Sequence, residues 1–206
     1  MSGPLIRARA AARAFALRWR FSLLLAALTA GLFAHAAGPR LILVDLLFLV
    51  IILGAAFAAE AERRVLGALL ALVALRLATK LVDPGAEAII VQVLNVGVSG
   101  LIGLIMLGLT LSTLFSRVIT GFDALAGAAF GFLLLGLIWG LVYVQVELLA
   151  PGSFHLLAGG GPMDAQLMYF SLITLTTTGY GDVTPATPVM RLAAALEASV
   201  GALYLA

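Results

Sequence analysis

Thr177-Thr178-Gly179-Tyr180-Gly181 lies between two long apolar segments, and the chemistry this run offers is that of main-chain oxygen. A bare ion in hydrocarbon costs on the order of tens of kcal/mol, so a path through a bilayer must replace lost hydration with oxygen dipoles at close range. Backbone carbonyls supply such dipoles. Aiming consecutive carbonyls to one side demands dihedrals that residues with a Cβ reach only with strain, which gives Gly179 and Gly181 a reason to be there. Other chemistries are poorly served. The chain has no cysteine, which removes disulfides, thiol redox work and cysteine metal sites, and His35 and His155 stand alone. Ser171, His155 and Asp164 show no arrangement for nucleophilic work, so the chain reads as a non-enzyme without a cofactor.

The longer stretch Thr174-Leu175-Thr176-Thr177-Thr178-Gly179-Tyr180-Gly181-Asp182 fits Thr-x-x-Thr-x-Gly-Tyr-Gly-Asp and resembles the selectivity filter of the potassium-channel pore family. The resemblance implies that the carbonyls of Thr177, Thr178, Gly179 and Tyr180, with the Thr177 hydroxyl at the inner end, line successive sites for permeant K+, and that Gly181 completes the run. It implies a homotetramer, because one strand cannot surround an ion and a closed ring can. Tyr169 and Phe170 fall where the family carries an aromatic pair behind the filter tyrosine, Thr174 opens the motif, and Asp182 falls where an acid tethers the outer mouth. Without a gap, Arg191 and Gly201 align with the arginine and hinge glycine of the family's inner helix. A small residue admitting close packing is the alternative reading of Gly201. Glu197, one turn earlier, either faces a water cavity and attracts cations or bonds behind the filter to a hydroxyl such as Thr174. The family's inner helix continues for several turns past the position of Ala206.

Two residues depart from that pattern. Thr178 stands where Val or Ile is usual, so its hydroxyl needs a partner. Ile173 stands where some members carry an acid that pairs with the outer aspartate, a bond that Ile cannot make.

The elements that must hold this loop follow from local signals. Pro162-Met163-Asp164 reads as a helix start with Asp164 as its cap, and a helix from Asp164 to Thr176 is roughly 20 Å long at about 1.5 Å per residue, too short to cross a bilayer. Its negative dipole end would point toward the loop and favour a cation there. At 206 residues, 63% hydrophobic and 11% charged, the chain has the bilayer as its main solvent. Spans of about 20 apolar residues divide it into six candidates, near Phe21–Ala37, Leu41–Ala59, Val65–Val82, Ala88–Phe115, Ala124–Ala150 and Val189–Ala206. The expected fold is therefore an all-α integral membrane protein with six transmembrane helices and a re-entrant pore helix and filter between the last two. Residues 1–20 form a basic cytoplasmic segment, 21–115 a four-helix peripheral domain and 116–206 the pore domain. The first span is expected to remain uncleaved, although its arginine-rich start resembles a signal peptide.

Arg7, Arg9, Arg13, Arg18 and Arg20, then Arg63, Arg64 and Arg117, share one side in this layout, so the expectation is a bacterial cell-membrane protein with both termini cytoplasmic and the loop opening outward. The same basic end serves a bilayer, and nucleic acid is not an expected partner. Asp45, Arg76 and Lys80 reach similar depths and read as an ion-paired group. The fourth span contains no Lys or Arg, so it cannot carry gating charge, and weak voltage dependence is expected. Glu147 reads as interfacial and Trp139 as packing. The expectation is a potassium-selective channel. A weakly selective K+/Na+ channel and a non-conducting scaffold or silent subunit are its alternatives.

Overall fold

The computed structural model describes residues 19–36, 62–82, 89–116 and 121–206. The expected second span, with Asp45, lies outside the described residues, as do Arg117 and the arginines before Trp19. The described residues are overwhelmingly helical: α1 Arg20–Ala36, α2 Arg63–Val82, α3 Ile89–Ser116, α4 Phe122–Leu149, α5 Met163–Leu175 and α6 Pro188–Leu205. Phe154–His155 (β1) pairs antiparallel with Thr184–Pro185 (β2).

Among the described residues, three helices, Ile89–Phe115 within α3, Phe122–Leu149 and Pro188–Leu205, are long and apolar enough to cross a membrane, which supports a multi-pass membrane protein. The helix Arg20–Ala34 is apolar but shorter. Helix α2 has 20 residues, but Arg63, Arg64, Arg76 and Lys80 make it less apolar.

The chain forms two compact units. The first comprises residues through Leu66 together with Gly108–Gly131. In it Phe21, Leu24 and Leu28 are buried on one face of α1, and the Ser22 N–H and hydroxyl both donate to Asp123 Oδ1 at 2.9 Å. Gly127 admits the Phe21 ring: a Cβ there would lie 3.0 Å from Phe21 Cγ.

The second unit comprises Gly67–Leu107 and Phe132–Ala206 and contains the loop. Its core is a triangle of rings, with Tyr143 at 5.2 Å from Phe154 and 5.3 Å from Phe170, and Phe154 at 5.5 Å from Phe170. Edge and tilted geometries of this kind contribute beyond simple area burial. The three rings come from α4, β1 and α5, so one apolar cluster joins the helix before the loop, the turn beyond it and the short helix. Leu167, Val183 and Met190 extend it toward α6. Trp139 packs on Tyr143 with centroids 6.0 Å apart, as the packing reading expected.

Glu147 is buried where an interfacial position was expected. Its carboxylate accepts from Gly152 N at 2.8 Å and Phe154 N at 3.1 Å. The chain leaving α4 folds back over its own last turn, and the carboxylate satisfies amides that the turn would strand.

Candidate functional site

Helix α5 begins at Met163, with Pro162 as its N-cap and no side-chain cap. Asp164 is therefore not the cap: it is the second helical residue, and its Oδ1 accepts from Ala165 N at 2.9 Å. The cap lies two residues earlier than expected, because the proline supplies the extended entry that a capping side chain would otherwise stabilise. Asp164 still places its negative charge in the first turn, at the positive end of the helix dipole.

Glycines set how closely α5 is approached. A Cβ on Gly140 would lie 3.1 Å from Met168 Cα, and one on Gly136 would lie 2.8 Å from Leu172 Cδ2. These two α4 glycines are four apart and share a face, a small-x-x-x-small pattern for close helix contact. At the far end a Cβ on Gly201 would lie 3.0 Å from the Leu175 carbonyl carbon and closer still to its oxygen. Helix α6 runs through Gly201 without a break, and the residue's buried position is accounted for by this packing.

The backbone then leaves α5 in an unusual manner. Thr177, Gly179 and Gly181 have φ of 58°, 51° and 80°, whereas Thr178 and Tyr180 between them stay at negative φ. Alternation of handedness at each residue turns successive peptide groups to face the same way. For a β-branched residue such as Thr177 a positive φ is an outlier, costing on the order of 1–3 kcal/mol.

Amide and carbonyl groups of the loop are treated unequally. Thr177 N donates to Thr174 O at 2.9 Å, and Thr178 N and Gly179 N donate to Ile173 O at 2.8 and 3.1 Å. These three N–H groups are thus spent on the last carbonyls of α5. Among the described residues, no hydrogen bond ends on the carbonyl oxygens of Thr177, Thr178, Gly179 or Tyr180.

Thr178 finds the partner its hydroxyl needs. Its Oγ1 lies 3.0 Å from Thr176 Oγ1, and Thr176 gives its own proton to Leu172 O at 2.8 Å, so Thr178 is the donor of the pair.

Around the loop, Tyr169 Oη donates to Asp182 Oδ2 at 2.7 Å. That bond ties the middle of α5 to the residue after the loop. It holds the Asp182 carboxyl below its usual range and pushes the Tyr169 hydroxyl up to about 12. Phe170 packs in the buried ring triangle, and Tyr180 is 72% exposed. Thr174 serves through its carbonyl.

Glu197 is fully buried and does not bond Thr174. It accepts from Tyr143 Oη at 2.6 Å and is hydrogen-bonded to Ser171 Oγ, one helical turn before Thr174. Ser171 and Tyr143 were missed as partners of this acid, because nothing local in the sequence pairs them with it. The four-residue spacing of Gly136 and Gly140 was a signal that could have been read. Arg191 reaches the carbonyls of Pro185 and Ala186 at 3.3 and 3.4 Å and so anchors β2 to the start of α6.

Residues 131–206 match the family described as Ion channel. Over 64 residues the chain is 44% identical to the two pore potassium channel c of Oryza sativa subsp. japonica, a stretch that covers 31% of this chain and 13% of that protein. The chain thus spans only a small part of that relative's length. No solved structure matches.

Proposed function

We propose that this chain conducts K+ passively through a filter built from the carbonyls of Thr177, Thr178, Gly179 and Tyr180, a reading supported by the match of residues 131–206 to the Ion channel family and by the similarity to a potassium channel. The observation that carries this reading is the division of labour in the loop. Three of its amides, those of Thr177, Thr178 and Gly179, are bound to the end of α5, while its carbonyls are left without donors by a backbone whose handedness alternates. Unpaired carbonyls are expensive away from water, and a cation that trades hydration for them is the partner that makes such a loop tenable. The α5 dipole ends beside the loop and favours a positive charge there.

One strand offers oxygens from one side only, so conduction requires a closed ring of copies, for which a homotetramer is the family's arrangement. Val189, Leu192, Leu196, Val200 and Leu203 leave an exposed apolar stripe along α6, which supports contact with other copies or with lipid. The reading includes a re-entrant α5, six spans with both termini cytoplasmic, residence in the cell membrane and no voltage sensor. The absence of Lys and Arg from α3 supports the last point.

The test is ion flux from purified protein in liposomes. Wild type carries K+, and Gly179→Ala, which places a Cβ on a residue at φ 51°, abolishes the flux; wild-type flux from the variant would overturn the assignment. Thr178 favours a second reading, a channel with weak discrimination against Na+. Opposing K+ and Na+ gradients decide between the two, because a reversal potential near zero selects the second.

A further inference from the structure

Glu197 sits at the junction of three helices, and its hydrogen bonds can be counted proton by proton. Tyr143 Oη on α4 is 2.6 Å from Glu197 Oε2. Ser171 Oγ on α5 is bonded to Glu197 Oε1 and lies 2.6 Å from the carbonyl oxygen of Gly136 on α4. The carbonyl only accepts, and each hydroxyl has a single proton to give. Two hydroxyl protons cannot fill three contacts. With an ionised Glu197, the Ser171 proton serves either the carboxylate or Gly136, and the other contact presses two lone pairs together in a fully buried site.

A third proton, on Glu197 itself, satisfies every contact. Tyr143 then donates to Oε2, Oε1–H donates to Ser171 Oγ, and Ser171 donates to Gly136 O. Each bond has one proton, and the chain has one direction.

Two contacts then fix α5 against α6. Ser171 meets Glu197, and four residues on in both helices Leu175 meets Gly201. Residues four apart share a helix face, so the pairs lie one turn apart and set the register of the helices. The second pair ends at Leu175, two residues before Thr177, where the positive-φ backbone of the loop begins.

We infer that Glu197 is a neutral carboxylic acid whose proton completes the directed chain from Tyr143 through Ser171 to Gly136, and that this chain makes Glu197 a positioning residue that sets ion selectivity. The selectivity part rests on the reading of the loop as a potassium filter, whereas the protonation part does not.

Infrared spectroscopy of purified protein in lipid tests the first part. Wild type should show the carbonyl stretch of a protonated carboxylic acid, absent from Glu197→Gln; its absence from wild type would overturn the neutral acid. Reversal potentials under opposing K+ and Na+ gradients test the second part. Glu197→Gln, whose amide donates to Ser171 and accepts from Tyr143, keeps the wild-type value. Ser171→Ala, which breaks the chain with little change in size, raises relative Na+ permeability roughly tenfold, the scale of one buried hydrogen bond. Wild-type selectivity in Ser171→Ala would overturn the positioning role, as would a Gln variant that loses selectivity as Ser171→Ala does. A wild-type protein without K+ flux would overturn the filter reading and the selectivity role together, and the infrared band would still decide the proton.

Discussion

Tyr169 Oη donates to Asp182 Oδ2 at 2.7 Å, which ties the middle of α5 to the first residue after the loop. The bond closes a brace around Thr177–Gly181 in a chain whose Ile173 cannot supply an acid. Because the hydrogen bond favours the ionised form, Asp182 titrates below its ordinary 3.8. The sign follows: the stabilisation is fully present above that ordinary value and fades as pH falls through the depressed one. In Tyr169→Phe the bond is absent at every pH, and the carboxyl returns toward 3.8. A carbon-13 NMR titration of labelled aspartate, with the Asp182→Asn spectrum identifying the signal, reads this directly. An unshifted titration in Tyr169→Phe would remove the bond from the account.

Gly201 has a different duty, which is to have no side chain where α6 meets the Leu175 carbonyl. Gly201→Ala pushes a Cβ into main chain that cannot rotate away, and overpacking of that kind costs about 1–3 kcal/mol. Thermal unfolding of Gly201→Ala is expected several degrees below wild type, with exposed Ala202→Ser unchanged. Equal melting of the two variants would mean that α6 shifts freely and that the close approach is incidental.

Element extents were legible in the sequence because their signals are local. A proline opens both α5 and α6, and the apolar run before Pro151 marks α4 almost to the residue. What sequence reading missed was contact across helices. The partners of Glu197 lie 26 and 54 positions away, and a choice between the hydroxyls of Ser171 and Thr174 depends on the rotation of α5, which spacing alone does not give. Glycines 179 and 181 announced the special backbone of the loop, yet Thr177 shares it at φ 58° without any sequence sign. A β-branched residue is the last one local propensity would place there.

That strain at Thr177 leads to an expectation opposed to the usual effect of damaging a site. Thr177→Gly relieves a dihedral cost on the order of 1–3 kcal/mol and gives back about 0.5–1 kcal/mol through the added freedom of the unfolded chain. The variant should melt no lower than wild type, while its K+ flux falls because the inner hydroxyl is gone. A clear loss of stability would show that Thr177 is not strained in its folded position.

Thr178 offers the sharpest test of how selectivity is set. Its hydroxyl reaches Thr176 at 3.0 Å at an exposed position, so Thr178→Val removes one hydrogen bond whose loss costs on the order of 1 kcal/mol or less. The carbonyl of residue 178 survives the change, and the side chain becomes the one usual in the family. Thr176 keeps its bond to Leu172 O, so the C-cap of α5 is unaffected. On the proposed filter reading, the reversal potential under opposing K+ and Na+ gradients should move further from zero, while total K+ flux stays within a few-fold of wild type. A reversal potential that moves toward zero would mean that the Thr176–Thr178 pair itself holds the proposed filter to its width by a polar brace.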